Sequence, residues 1–540
     1  MHRTLIAAVA CVWIAVPAAA QHEHHPAGSP DEVGSAHVRF ETSCAAATAG
    51  EFNRGVALLH SFWFPQAAAA FEGVLKTDPA CAMAHWGLAL SQWGNPFGGL
   101  KTPPQVQGGR AAIDAAQATG SPTPRERAYI TAAAALFTSS EPGTQRARTV
   151  AYEQGMAQLT RDFPDDMEAR IFYALAVNQT AVPSDKTYAQ QLKAAEILEP
   201  LFREHPSHPG LAHYIIHAYD HPPLADKALD AARRYASLAP AVPHALHMPS
   251  HTFTRVGSWR ESIETNRRSA EAARKSSGAG EELHALDYQT YAYLQLAQDG
   301  EASRVRDVAM TLAGSAEGIA IGATGAGAFA AAAIPARYAL ERGAWTEAAA
   351  LPVRSASTPY TEAMTHFARA LGAARSGAPK AAAADIARLA ELRDRLIAQP
   401  DAYWAEQVDI QRRVALAWVA FAEGRRDEGL AQLRAAAEAE DGTDKAAVSP
   451  GPLAPARELL GYMLLEAGQP REALAAFEAT VAKEPNRFRG LYGAGRAAEA
   501  AGDAATAARF YRQLLEVVGE GASDRPELRH ARQMAGENAR

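Results

Sequence analysis

Cysteine is nearly missing from this chain: three residues in 540. That excludes a disulfide-dense scaffold and a structural zinc site built from thiolates. β-Branched residues are sparse and alanine is abundant, which disfavours sheet and favours helix. No apolar run reaches the ~20 residues that span a bilayer. No excess of positive charge is present either. Lys and Arg number 53 against 60 Asp and Glu, a net charge of −7, which gives no footprint for nucleic acid or an anionic membrane. The sequence holds no GxSxG, no HExxH, no phosphate-binding Walker loop, no adjacent His-Asp doublet and no nucleophilic Cys/His arrangement. The GATGAG at 322–327 follows no predicted strand and reads as a linker. A chain this long exceeds one compact core, so the expectation is an all-α protein of several domains or an extended repeat array.

The amino terminus, MHRTLIAAVACVWIAVPAAA, joins Arg3, an apolar run from Leu5 to Val16, Pro17 and three alanines before Gln21. This is the pattern of a Sec-type signal peptide cleaved after Ala20. It predicts a periplasmic or secreted protein with no integral membrane segment after cleavage. Two cysteines then remain, Cys44 and Cys81, and an oxidising compartment makes them the candidate disulfide. Residues 21–43 are rich in His, Pro and Gly and read as a flexible linker. Its His22, His24 and His25 form a weak metal-capturing pattern whose plain alternative is an incidental tail.

Self-similarity organises the rest. Gly461, Gly468, Ala473 and Phe477 recur 34 residues later as Gly495, Gly502, Ala507 and Tyr511. Gly55, Ala67, Phe71 and Pro79 repeat the same grammar near the start. This period and pattern resemble the tetratricopeptide repeat (TPR), which implies an α-solenoid, a right-handed superhelix of antiparallel helix pairs. The expected organisation is a first array over 44–311, a Gly-rich linker at 312–327, a second array over 328–521 and a polar capping helix or tail at 522–540. Irregular stretches are expected near 95–125, 180–190, 275–283 and 440–453.

What the chain has in excess is histidine in one place. Six of its 18 histidines lie between 213 and 251, where an even spread would put about 1.3. His213, His217 and His221 are spaced by four, and His244, His247 and His251 by three and four, so each set occupies one face of a helix. The TPR resemblance implies that these first-helix positions line the concave groove. It also places Asp220, Thr254 and Arg255 there, and on the next repeat His284, Asp287 and Tyr291. His205 and His208 fall in a turn and are expected at the surface. Phe52, His60 and Trp86 read as an aromatic extension of the groove or, more simply, as packing, and packing is the reading for Phe62, Trp63 and Phe64.

Burying several imidazoles costs free energy unless each is partnered, and clustered neutral imidazoles are what a borderline transition metal binds. The expected ligands are His213, His217, His244, His247, His251, His284 and Asp287, for Zn, Cu, Ni or Fe. Asp220, His221, Arg255 and Tyr291 are expected around them. The function this supports is a metal-dependent ligand- or protein-binding module of the cell envelope with a protein or peptide in its groove. Two alternatives stay open: a metal-dependent hydrolase or oxidase using Asp220, Asp287 or a histidine as base, and a metal-free interaction scaffold. The phrases HYIIHAYDHPP, HALHMPSHTF, FNRGVALLHSFWF and CAMAHWG together also resemble a group of exported bacterial TPR proteins, a likeness that brings no activity with it.

Overall fold

The computed structural model describes residues 30–276, 278–315, 325–353, 358–399 and 401–536. The signal-peptide reading, His22, His24 and His25, and the centre of the Gly-rich linker lie outside the described residues. Among the described residues every regular element is helical. Successive helices pack against one another as pairs, and each pair packs on the next, an α-solenoid of TPR type.

The repeat grammar works by close approach. Phe477 is buried between Gly461 and Gly493, and a Cβ on Gly461 would stand 2.7 Å from its ring. Tyr511 sits on Gly495, and Phe71 on both Gly55 and Gly87, in the same way. Any larger residue would push the helices apart. The turns between paired helices place one residue in the left-handed region, as Gly468 (φ 75°) and Gly502 (φ 81°) show, where a side chain is penalised.

The apolar core forms two large clusters, one running from Val33 to Phe253 and the other from Ala297 to Ala531. The closing repeats return onto the middle of the chain. Trp259 Nε1–H donates to Asn486 O at 2.8 Å and Phe488 N–H to Gln295 Oε1 at 2.9 Å. An open solenoid makes contacts only between neighbours, so this closure is a departure from the simple array. The stretch expected to be irregular at 95–125 holds a regular helix, Pro103–Thr119, started by a Thr102/Gln105 capping box. The helix Pro526–Met534 caps the end, burying Leu528 and Ala531.

Cys44 and Cys81 form a disulfide across the first helix pair, with Cα atoms 4.9 Å apart. Closing a loop over a separation of 37 residues stabilises by about 4 kcal/mol in the chain-entropy account. The Cys44→Ser/Cys81→Ser variant is therefore expected to unfold earlier in guanidinium than the oxidised protein. Reducing the native protein should reproduce the shift, and coincident unfolding curves would refute it.

Candidate metal centre

Three first helices carry the histidines. His213 and His217 lie on the helix Pro209–Ala218 and His284 on Ala279–Gln295. The one between them is split into Pro243–His247 and Pro249–Arg255. Pro249 has no N–H to continue the first piece, so a single helix across 243–255 breaks at Met248. The imidazoles group differently from the helices that bear them. One ring nitrogen each from His213, His217 and His244 lie within 4.8 Å of one another, and the same holds for His247, His251 and His284.

The second set is the more tightly specified. Asn266 Nδ2 donates to Ser262 O at 2.7 Å, which leaves its Oδ1 to accept from His247 Nδ1 at 2.7 Å. Asp220 Oδ2 accepts from His251 Nδ1 at 2.9 Å. Each ring therefore spends its one N–H on Nδ1, and two Nε2 lone pairs face each other across 3.1 Å. Neither can donate to the other. One ion with N–metal bonds of 2.0–2.1 Å at a tetrahedral angle separates two nitrogens by ~3.3 Å. His284 Nδ1 is buried without a hydrogen-bond partner.

The first set shows the same pattern. His213 Nδ1–H donates to the His60 carbonyl at 2.6 Å, and the Nε2 atoms of His213, His217 and His244 are all buried and unpartnered. Burial, reinforced by mutual repulsion of the rings, holds His213, His217 and His247 well below the usual histidine range. Burial lowers His251 to about 4, against the opposing pull of Asp220, and His284 to about 3. All five are neutral at pH 7, with lone pairs free for a metal.

Aromatic rings close each set. Phe62 packs on His213, His217 and His244 with centroids 4.4, 5.6 and 5.4 Å away. Tyr288 lies 4.7 Å from His247 and 5.4 Å from both His251 and His284. Phe62 has φ 54° and sits two residues before its second helix, the slot that Gly468 and Gly502 fill elsewhere. A bulky side chain in the left-handed region costs ~1 kcal/mol or more. The cost falls where the ring meets three imidazoles.

Asp220 is the hub of the surroundings. It accepts from Arg255 Nε at 2.9 Å and Lys445 Nζ at 3.1 Å besides His251, and Arg255 Nη2 also holds its carbonyl. Burial works to raise its pKa, but Lys445 and Arg255 outweigh it and hold the carboxylate well below the usual range. Burial lowers Lys445 to about 8. Lys445 belongs to the stretch 443–452, which crosses in front of the histidine helices. Tyr288 Oη–H donates to Ser449 O (3.1 Å), Arg337 to the carbonyls of Gly451 and Pro452 (3.2 and 3.1 Å), and Tyr403 to Asp444 O (3.0 Å). The groove thus carries a segment of the chain itself, where the resemblance led one to expect a foreign peptide.

Three expected members stand elsewhere. Asp287 pairs with Arg337 at 3.2 Å, both fully buried, and joins neither imidazole set. Its position was legible from the repeat, but Arg337 lies 50 residues on. Tyr291 accepts from Arg487 Nη1 at 2.9 Å and belongs to that ion network. His221 lies beyond its helix, 3.2 Å from Asp444 Oδ2. Phe52 and Trp86 are packing residues against Phe40.

His205 is exposed as expected, but His208 is buried and was missed. It stands 3.0 Å from Glu168 Oε1, whose Oε2 is 2.9 Å from His60 Nε2. His60 Nδ1 lies 3.0 Å from Tyr214 Oη. This network holds the His60 ring, and the His60 carbonyl accepts from His213. No local signal marked Glu168, Asn266 or Lys445.

A tetratricopeptide-repeat family model matches residues 64–96 and 458–524. These two stretches are tetratricopeptide repeats. No curated protein matches the chain. Among solved structures it is similar to yeast Tom70, at 10% identity over 91% of this chain and 89% of that one, with a TM-score of 0.26. It is also similar to the APC/C hetero-tetramer Cut9–Hcn1, at 12% identity over 88% and 95%, with a TM-score of 0.27. Superpositions this loose bring nothing to the site. No helix of the described residues is long and apolar enough to cross a membrane.

Proposed function

We propose that this is an exported TPR-type protein that binds a transition metal through its buried histidines and serves as a metal-dependent binding module of the cell envelope. The observation that carries the metal reading is the pair of Nε2 lone pairs of His247 and His251, 3.1 Å apart, with both Nδ1 atoms committed to Asn266 and Asp220. A fold with no need of a cation there would turn one ring or supply a donor. Carboxylate-held imidazoles are how proteins orient metal ligands. Export is supported by the amino-terminal pattern of Arg3, the apolar run and Ala18–Ala20. Helical-repeat proteins of this kind bind other proteins. The stretch 443–452 already lies against Asp220, Tyr288 and Arg337, so a protein partner is assigned to the outer surface.

The test is elemental analysis of protein purified without a His tag, beside the His247→Ala/His251→Ala variant. The native protein is expected to hold a transition metal at near-stoichiometric level and the variant to lose it, with circular dichroism confirming that the variant is folded. A native protein that stays metal-free after dialysis against zinc and copper would sink the metal reading. The protein would then be screened for peptide partners.

A further inference from the structure

The two sets of imidazoles are parts of one cluster. Within the first, ring centroids of His213–His217 and His213–His244 are 4.8 and 5.1 Å apart; within the second, His247–His284 and His247–His251 are 4.2 and 5.0 Å apart. Between them His217–His251 and His244–His247 are only 6.1 and 6.2 Å apart. Each set offers three imidazole donors, which by itself suits one ion with a position left open. Two ions so placed are neighbours.

Donor chemistry narrows the metal. The six ligating side chains include no thiolate and no carboxylate. Asp220 is taken by His251, Arg255 and Lys445, and Glu281, whose buried Oε2 has no hydrogen-bond partner and lies 3.9 Å from His244 Nδ1, joins neither histidine set. Paired iron and manganese sites in helical proteins are built on carboxylates. Imidazole sets suit zinc, copper, nickel and iron, and copper(II) binds most tightly of these divalent ions. Charge then demands a further ligand. Two cations beside Arg255 and Lys445 repel one another in a buried site whose ligands include no carboxylate. A small anion between the ions offsets that repulsion and fills both open positions.

Resting on the metal-binding reading above, we infer that the two histidine sets form a dinuclear copper centre, three imidazoles to each ion, that takes a small bridging anion of the hydroxide or azide class. Phe62 and Tyr288 keep bulk water from the two sides.

Metal-free protein is titrated with Cu(II), and bound copper is measured by elemental analysis and by integrated electron paramagnetic resonance. Two copper ions per chain are expected, with a resonance integral far below the copper content, because a bridged pair couples its spins. Azide should add an azide-to-copper absorption band. Removing one set, by His213→Asn/His217→Asn or, with less disturbance to the core, His244→Asn alone, should leave one copper with full resonance intensity. His284→Asn should do the same from the other side. Two coppers with full intensity, or a single ion lost only with His247 and His251, would overturn the pair while leaving the metal-binding reading intact. A native protein that takes up no transition metal would end both.

Discussion

Asp220→Asn should destabilise the protein by about 3–5 kcal/mol, the usual effect of stripping one partner from a buried charge network. Arg255 and Lys445 are both buried and converge on this carboxylate at 2.9 and 3.1 Å. Asparagine can still accept hydrogen bonds but strips Arg255 and Lys445 of the carboxylate both touch, leaving Glu484 to offset them without direct contact. The same change loosens His251, whose Nδ1–H donates to Asp220, so metal retention should fall by about 10–100-fold. Chemical denaturation checks the first number and competition with a chelator the second. The background Lys445→Met separates them: it removes one orphaned cation and should recover much of the stability without restoring the affinity. Equal recovery of both would mean that Asp220 acts only through the fold. An Asp220→Asn protein as stable as the native one would show that the hub is not the charge balance described above.

The second large effect belongs to Arg487, where the closing repeats meet the middle of the chain. Its guanidinium lies 2.6 Å from Glu458 Oε2 and 2.7 Å from Glu341 Oε1, and none of the three side chains is more than 1% exposed. It also donates to Tyr291 Oη at 2.9 Å. Burial opposes its charge, but Glu341 and Glu458 outweigh that and raise its pKa well above the usual value. Arg487→Met should cost about 3–5 kcal/mol, because two buried carboxylates lose their shared cation. Adding Glu341→Gln should return a substantial part of it, as expected for coupled neighbours. A loss below about 1 kcal/mol would place this triad with solvent-exposed ion pairs and contradict its burial.

Much of the fold was open to reading in one dimension because a repeat is a local device. Gly461 and Phe477 sit 16 residues apart in sequence, and their contact follows from the helix pair that contains both. The same locality explains why the histidine positions could be assigned to first helices before any contact was known. Where the reading missed, the partner came from far along the chain. Lys445 reaches Asp220 across 225 residues, His208 finds Glu168 across 40, and Tyr291 meets Arg487 across 196. Nothing near Asp287 announces that Arg337 will claim it.

The sequence by itself determined the helical class, the 34-residue repeat, the pairing of the two cysteines as a candidate, and six imidazoles on three adjoining helices. Period and spacing suffice for these, since helix geometry carries a side chain to a known face. Only the tertiary structure decided how those imidazoles divide. His244 joins His213 and His217, while His247 and His251 join His284, although all three of 244, 247 and 251 lie along one first-helix stretch. Distant Asn266 and Asp220 fix which nitrogen keeps its lone pair, and the stretch 443–452 covers the result. These depend on where separate parts of the chain meet, and a repeat that returns on itself brings together residues that no local pattern links.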